Sequence, residues 1–403
     1  MTKNNSSDRP SSKKNLTLFA LASSAFATQP ASIITGLLLI DIGNTFNSPV
    51  GVTSQIRTLS PFIAFIVGLL MGGISLRFRH KSLLIEGLFC IGVSALLCGL
   101  APDFTIMLIS YSLNGLGAAM VVPMTMTLVG AYFPLDNRAG AISWIVSAQA
   151  MAYFICTPII GYLATLGGWR WTFFGFVLPI SFLCLVLASF CLPNESKSRN
   201  QSASLKTIFT GFKGVLSNTS ANSCLLGNVL SMACWTAILL YSASFNRQRF
   251  GVSMEVATII LLGGSASYTA GSLLSGRLVK GFGRKPVTFF SAFFAGIFTL
   301  AYTNLSLLWL CVVAAYIGCF FAGARTTAAN SLTLEQVPAF RGTMMSLNSA
   351  ASSLGSSLGA GIGGLALLIY GYEGMAMALG VLGVIAGLIY RFKTIDPTKV
   401  LHA

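Results

Sequence analysis

Residues 72–81 read Gly-Gly-Ile-Ser-Leu-Arg-Phe-Arg-His-Lys, and residues 276–285 read Gly-Arg-Leu-Val-Lys-Gly-Phe-Gly-Arg-Lys. Each stretch closes one long apolar run and precedes another, and they stand 276 less 72, or 204, positions apart. A second pair of landmarks keeps that offset. Phe133-Pro134 with Arg138-Ala139-Gly140 answers Val337-Pro338 with Arg341-Gly342, where 338 less 134 is again 204. Two landmarks at one offset identify a chain built from two repeated halves.

Working outward, the 403 residues are 54% hydrophobic and 9% charged, against roughly 25% charged in soluble domains. That composition excludes a soluble globule and excludes intrinsic disorder. A membrane barrel is excluded too, because the apolar residues come in unbroken runs of helix length and do not alternate over about ten residues. A spanning helix takes about 20 residues, and the runs predict twelve of them: 15–40, 52–76, 82–100, 104–132, 139–164, 172–192, 220–245, 254–276, 286–303, 306–334, 342–369 and 374–391. The expected organisation is a tail at 1–14, a six-helix bundle at 15–192, a linker at 193–219, a second bundle at 220–391 and a tail at 392–403. A short amphipathic helix is expected in the linker near Leu205 to Leu216.

The first apolar run is too long, and lacks a small-residue cleavage site, for a removable signal peptide. It is expected to remain as a helix. The nine cysteines fall mostly inside apolar runs with no CxxC pair, and are read as packing residues with no metal or other cofactor. With both termini inside, the inner segments gather twenty basic residues, while the outer loops hold only Arg170, Arg247 and Arg249. This bias places the termini at the cytoplasmic side of the plasma membrane. It also accounts for the net charge of +15 by apposition to anionic lipid, with no nucleic-acid partner.

The paired loops resemble those of the major facilitator superfamily, whose halves each carry G-x-L-x-D-R-x-G-R-K between their second and third helices. The resemblance runs from residue 15 to about 394, through Asn114-Gly115-Leu116-Gly117 in the fourth helix and Gly168-Trp169-Arg170-Trp171 before the sixth. It implies an all-α polytopic membrane protein: twelve transmembrane helices in two pseudo-symmetric six-helix bundles, the major facilitator fold. The chain is most similar to the twelve-helix drug and sugar efflux branch. In this frame Gly72, Arg77, Lys81, Gly276, Gly283, Arg284 and Lys285 form the cytoplasmic gating loops. Yet the acidic residue of the motif is Leu76 in one copy and Lys280 in the other. The family's proton-coupling arginine of the fourth helix falls on Tyr111, and the neighbouring glutamine is Asn114. Of the antiporter motif G-P-x-x-G-G, only Pro158 and Gly161 remain, as a kink-and-packing pair or an ordinary bent helix.

Polar content sorts the helices independently, since a solute path needs polar groups facing inward. The third, sixth, ninth and twelfth spans are nearly devoid of amides, whereas the first, fifth, seventh, tenth and eleventh are not. Thr28, Ser32 and Thr35 share a face of the first helix, beside Gln29 and the helix-breaking Pro30. They form a cavity wall, or alternatively their hydroxyls bond back to their own helix. Gly355, Gly359 and Gly363 allow close packing on the eleventh helix. Arg325 lies about a dozen residues inside the tenth helix, where a charge costs at least about 2.5–3.5 kcal/mol. It is expected to face the central cavity, with a structural arginine as the other reading. No acidic residue stands clearly at its depth; Glu86 is assigned to Arg79 and Lys81, and Arg57 to Asp41 or to the interface.

The candidate substrate-binding set is therefore Arg325, Gln29, Thr28, Ser32, Trp235, Tyr241, Asn348 and Asn330, with Tyr111 and Asn114. No G-x-x-x-x-G-K-[ST] loop is present, so energy comes from a gradient. The expected function is secondary transport of a small amphipathic organic solute by alternating access, as efflux of drug-like or metabolite compounds by a monomer, with a coupling proton or other ion as a further partner. The alternatives are uptake or exchange of an organic anion anchored by Arg325, and a non-transporting receptor or scaffold. No clustered catalytic set points to an enzyme.

Overall fold

The computed structural model describes residues 11–193 and 205–397, without the side chains of 11–13, 72, 73, 75–77, 135, 136, 139 and 205–209. The described secondary structure is helical throughout: α1 (Ser11–Phe26), α2 (Pro30–Leu37), α3 (Leu39–Thr45), α4 (Val50–Thr53), α5 (Ile56–Arg77), α6 (His80–Leu100), α7 (Phe104–Tyr132), α8 (Leu135–Thr172) and α9 (Leu178–Cys191). After the linker come α10 (Leu205–Leu216), α11 (Thr219–Phe250), α12 (Met254–Phe282), α13 (Arg284–Tyr302), α14 (Leu308–Leu334) and α15 (Arg341–Phe392). The expected linker helix is α10. Among the described residues, ten helical stretches are long and apolar enough to cross a membrane. Two of them are bent into two passes each, which makes twelve.

Those two bends are conformational copies of one another. Gly168 in α8 has φ 76° and ψ −176°, and Gly371 in α15 has φ 68° and ψ −166°. Only glycine takes this backbone without strain, so a repeated glycine turns the fifth span into the sixth and the eleventh into the twelfth. The loop copies are less alike. Gly283, with φ 90° and ψ 163°, makes a glycine-only turn into α13. Its counterpart 204 positions earlier is Arg79, an ordinary extended residue with φ −69° and ψ 134°.

The first span is not the single helix expected from its apolar run. It is broken at 27–29 and again at Leu38. Pro30 lacks the N–H that would continue the ladder, and Thr28 turns its hydroxyl onto the Ala25 carbonyl at 2.7 Å. The backbone there tightens, with Thr28 N bonded to Ala25 O and Gln29 N to Phe26 O.

The chain forms two compact units, 1–34 with 70–202 and 35–69 with 203–403. In the first, α6 and α7 pack through glycines: a Cβ on Gly87 would stand 2.9 Å from Gly117 O, and one on Gly117 would stand 2.5 Å from Gly87 O. Ser94 donates to Ser110 O across the same contact at 2.8 Å. Lys81 caps the end of α9, its Nζ donating to Ser189 O at 2.9 Å and Leu192 O at 2.7 Å, while Glu86 is exposed. Arg138 caps the end of α7 through Phe133 O and Gly130 O. Free carbonyls at a helix end attract cations, so these two basic landmarks hold helix ends. The side chains of Gly72 and Arg77 lie outside the described residues.

In the second unit the hairpin 35–69 is fastened to α11 and α15. Both carboxylate oxygens of Asp41 are taken by Arg247, at 2.6 and 3.1 Å. Arg57 therefore does not pair with Asp41, and its Nε is buried without a hydrogen-bond partner among the described residues. Ser357 donates to Thr58 O at 2.7 Å. A Cβ on Gly51 would stand 2.5 Å from Gly364 O, and one on Gly364 would stand 2.6 Å from Gly51 O. Overpacking costs about 1–3 kcal/mol, whereas a half-exposed ion pair contributes about 1 kcal/mol or less. Gly364→Val is accordingly expected to lower the thermal unfolding midpoint in detergent more than Asp41→Asn does; the reverse order would show that the ion pair carries the contact.

Candidate functional site

The polar residues singled out from the sequence gather in two clusters, one in each unit. In the unit 35–69 with 203–403 the centre is Arg325, on α14 and only 2% exposed. Its partners among the described residues are neutral. Nη1 donates to Asn228 Oδ1 at 3.1 Å, and Nη2 donates to Thr326 Oγ1 at 3.0 Å and to Met232 Sδ at 3.3 Å. The guanidinium is drawn into the bundle, where amide and hydroxyl oxygens replace the water it would otherwise need, and it lines a small cavity there.

Asn228 carries the bonding onward. Its Nδ2 donates among Asn348 Oδ1 at 3.0 Å, Asn348 O at 3.1 Å and Ser352 Oγ at 2.9 Å. Asn348 Nδ2 in turn donates to Asn330 Oδ1 at 2.9 Å. From the other side, the Tyr268 hydroxyl donates to Thr326 Oγ1 at 3.0 Å. One continuous network therefore ties α11, α12, α14 and α15. Trp235 stands beside it, its ring centroid 4.9 Å from that of Tyr268 at 32°. Behind Arg325 lies a cavity of about 10 Å³, lined also by Ser231, Trp235, Thr299 and Gly318. That is room for about one water, and Ser231 Oγ is buried with no hydrogen-bond partner among the described residues.

Tyr241 is not part of this cluster. It is fully buried among Leu39, Val50, Ala360 and Leu379, and its hydroxyl donates to Ala360 O at 2.9 Å, so it serves packing between α11 and α15. Gly355 and Gly359 serve the same contact; a Cβ on Gly359 would stand 2.6 Å from Ala233 O. Gly276 has nothing within 4 Å of an added Cβ, and Arg284 and Lys285 lie half-buried at the start of α13.

In the unit 1–34 with 70–202, Gln29 Nε2 donates to Thr28 Oγ1 at 2.9 Å beside the break before Pro30, and Ser32 is half-buried on α2. Thr28 bonds back to its own helix, the second of the two readings of that face. Tyr111 and Asn114 are buried on α7, and Asn114 Oδ1 has no hydrogen-bond partner among the described residues. Pro158 is exposed and Gly161 buried on α8.

Asn228 and Ser231 count among the polar residues that mark the seventh span as path-lining but were left out of the substrate-binding set, and sequence reasoning missed Met232 and Tyr268. Asn228 carried a signal, as an amide in an apolar span with the same cost of burial that drew attention to Gln29. Met232 carried none, since a thioether in an apolar run looks like core.

These features define a multi-pass helical membrane protein built from a repeated six-span unit. The Major Facilitator Superfamily model matches residues 19–268 and 224–402, and the chain belongs to that family. It is 29% identical over 136 residues to the uncharacterized MFS-type transporter YhcA of Bacillus subtilis (strain 168), covering 34% of this chain and 24% of that protein. It is 26% identical over 161 residues to YwfA of the same organism, covering 40% and 39%. The matched stretches thus span well under two thirds of those relatives' own length. Among solved structures, it resembles a D-xylose-proton symporter with TM-score 0.75 and 17% identity over 95% and 98% of the two chains. It also resembles a bacterial homolog to human lysosomal transporter Spinster, in an inward-facing and occupied conformation, with TM-score 0.71 and 18% identity over 97% and 99%. At these identities the likeness is one of fold.

Asn228 and Asn114, both buried, make opposite predictions. Asn228→Leu leaves an Arg325 N–H and its own acceptors unmatched, at about 1–3 kcal/mol per stranded group, and lowers the unfolding midpoint by several degrees. Asn114→Leu removes an already unpartnered oxygen and leaves the midpoint unchanged or raised. Equal losses in thermal melts would contradict the assignment of Asn228 as the centre of the network.

Proposed function

We propose that this chain is a secondary transporter that carries a small amphipathic organic solute across the plasma membrane by alternating access. The two repeated halves, 15–192 and 220–391, supply the moving parts, and both termini lie at the cytoplasmic face. Support comes from the family, from the repeat, and from the positive bias of the inner segments. The observation that carries the substrate reading is Arg325, a buried cation whose hydrogen-bond acceptors are all neutral. Charge-assisted bonds to a carboxylate are roughly twice as strong as bonds to neutral acceptors, so an anionic group on the solute gains most here. Efflux is the direction supported by the resemblance to the drug and sugar efflux branch. Uptake or exchange of the same organic anion is the second reading, favoured by the lack of a carboxylate among the described partners of Arg325. The amides of Asn348 and Asn330 then hold polar groups of the solute.

The test is solute flux in proteoliposomes across anionic, neutral and cationic organic compounds, for the parent, Arg325→Gln and Arg325→Lys. Flux of anions is expected to fall about tenfold or more in Arg325→Gln, the order of a lost charged hydrogen bond, with a smaller loss in Arg325→Lys. If Arg325→Gln carries every transported compound at the parental rate, Arg325 is not the anchor. If the parent moves nothing, the transport reading itself fails.

A further inference from the structure

The transport reading leaves unused an aromatic pair that stands against the cation. Trp235 on α11 and Tyr268 on α12 are both half-buried, with centroids 4.9 Å apart. The Tyr268 hydroxyl does not merely lie near Arg325. It donates to Thr326 Oγ1 at 3.0 Å, and Arg325 Nη2 donates to the same oxygen at 3.0 Å. Two donors on different helices therefore converge on one point. The hydroxyl of Thr326 occupies that point and spends its own hydrogen on Ala322 O at 2.8 Å.

The remaining acceptor on Nη2 is the Met232 thioether, at 3.3 Å. Sulfur is a weak acceptor, and Met232 is itself half-buried at the third position before Trp235, on the same face of α11. It is the partner that a carboxylate displaces at least cost. A carboxylate that takes the place of the sulfur on Nη2 is one shared partner, Thr326 Oγ1, away from the Tyr268 hydroxyl, and the sulfur it displaces stands one turn from Trp235 on α11. Flat rings stack on such a pair at offset geometry with a contribution beyond their buried area.

We infer that the site takes a planar aromatic monoanion, with its carboxylate on Arg325 Nη2 and the Tyr268 hydroxyl and its ring against Trp235 and Tyr268. The inference rests on the transport reading, because the cavity of about 10 Å³ at Arg325 holds about one water and the ring enters only in a conformation that opens this face of the bundle. Saturated carboxylates lose the ring contact, and neutral aromatic amides lose the charge.

The test is equilibrium binding by calorimetry to the full chain in detergent, with 1-naphthoate, 1-naphthamide and cyclohexanecarboxylate as probes. 1-Naphthoate is expected to bind about tenfold or more tightly than either of the others. Tyr268→Phe keeps the ring and removes the hydroxyl, and should weaken 1-naphthoate about fivefold while leaving 1-naphthamide unchanged. Trp235→Leu should bring 1-naphthoate to the level of cyclohexanecarboxylate, and Met232→Leu, which removes the competing sulfur, should bind 1-naphthoate as tightly as the parent or more so. The three probes compared on the parent alone decide the matter if a variant does not fold. Equal binding of the three, or no binding of 1-naphthoate, overturns the inference, as does parental binding by both Trp235→Leu and Tyr268→Phe. Flux of some other solute that 1-naphthoate neither matches nor inhibits would overturn it and leave the transport reading standing. Binding of 1-naphthoate as described, without flux of any solute, would keep the site and remove the transport reading.

Discussion

A guanidinium shut inside a helical bundle, with only amide, hydroxyl and thioether acceptors about it, is the constraint around which the unit 35–69 with 203–403 is organised. Such a charge must be solvated by the protein or by what the protein binds. Here the solvation is assembled from three helices, since Asn228 receives Nη1, Thr326 and Met232 share Nη2, and Asn228 then spends its amide hydrogens on Asn348 and Ser352. Every link is to a neutral group, so the arrangement holds the cation in place without cancelling it. A carboxylate in the position of the Asn228 amide would have given a closed ion pair with less to offer an incoming anion.

The same helices that solvate Arg325 carry the fastening of the 35–69 hairpin. α11 holds Asn228 and, farther along, Arg247, which grips Asp41. α15 holds Asn348 and Ser352 and then Ser357, whose hydroxyl reaches Thr58, and Gly364, whose backbone meets Gly51. A change at the amide network therefore acts on two elements that also bear the hairpin. The broken first span, with its turn at Thr28 and Gln29 before Pro30, lies just ahead of the residues that pass from one compact unit to the other. Bending at an existing break costs less than bending a continuous ladder of hydrogen bonds.

Much of the fold was legible because a bilayer leaves few solutions. Apolar runs of spanning length can only be helices once barrels are excluded, and the repeat at offset 204 gave the twofold build. The turn glycines 168 and 371 were present in the sequence, but their shared left-handed conformation was not, since φ is not written in composition. Broken helices were half legible: Pro30 announced a weak point, while the second break at Leu38 carried no proline or glycine of its own. Arg325 was legible as a cost that must be met somewhere. Its partners were not, because Asn228 and Tyr268 stand on other helices and periodicity orders residues only along one. The partner of Tyr241 was not legible for the converse reason. A tyrosine in a polar span looks the same whether its hydroxyl meets a solute or, as here, the carbonyl of Ala360.

The most direct measurement is an atomic-resolution structure of the full chain with a bound organic monoanion, read at Arg325. A carboxylate within hydrogen-bond distance of Arg325 Nη2, with the Met232 sulfur moved aside and Asn228 still on Nη1, is the predicted result. A bound anion seated elsewhere, with the Asn228, Thr326 and Met232 contacts of Arg325 unchanged, would contradict the account and leave this arginine a structural one.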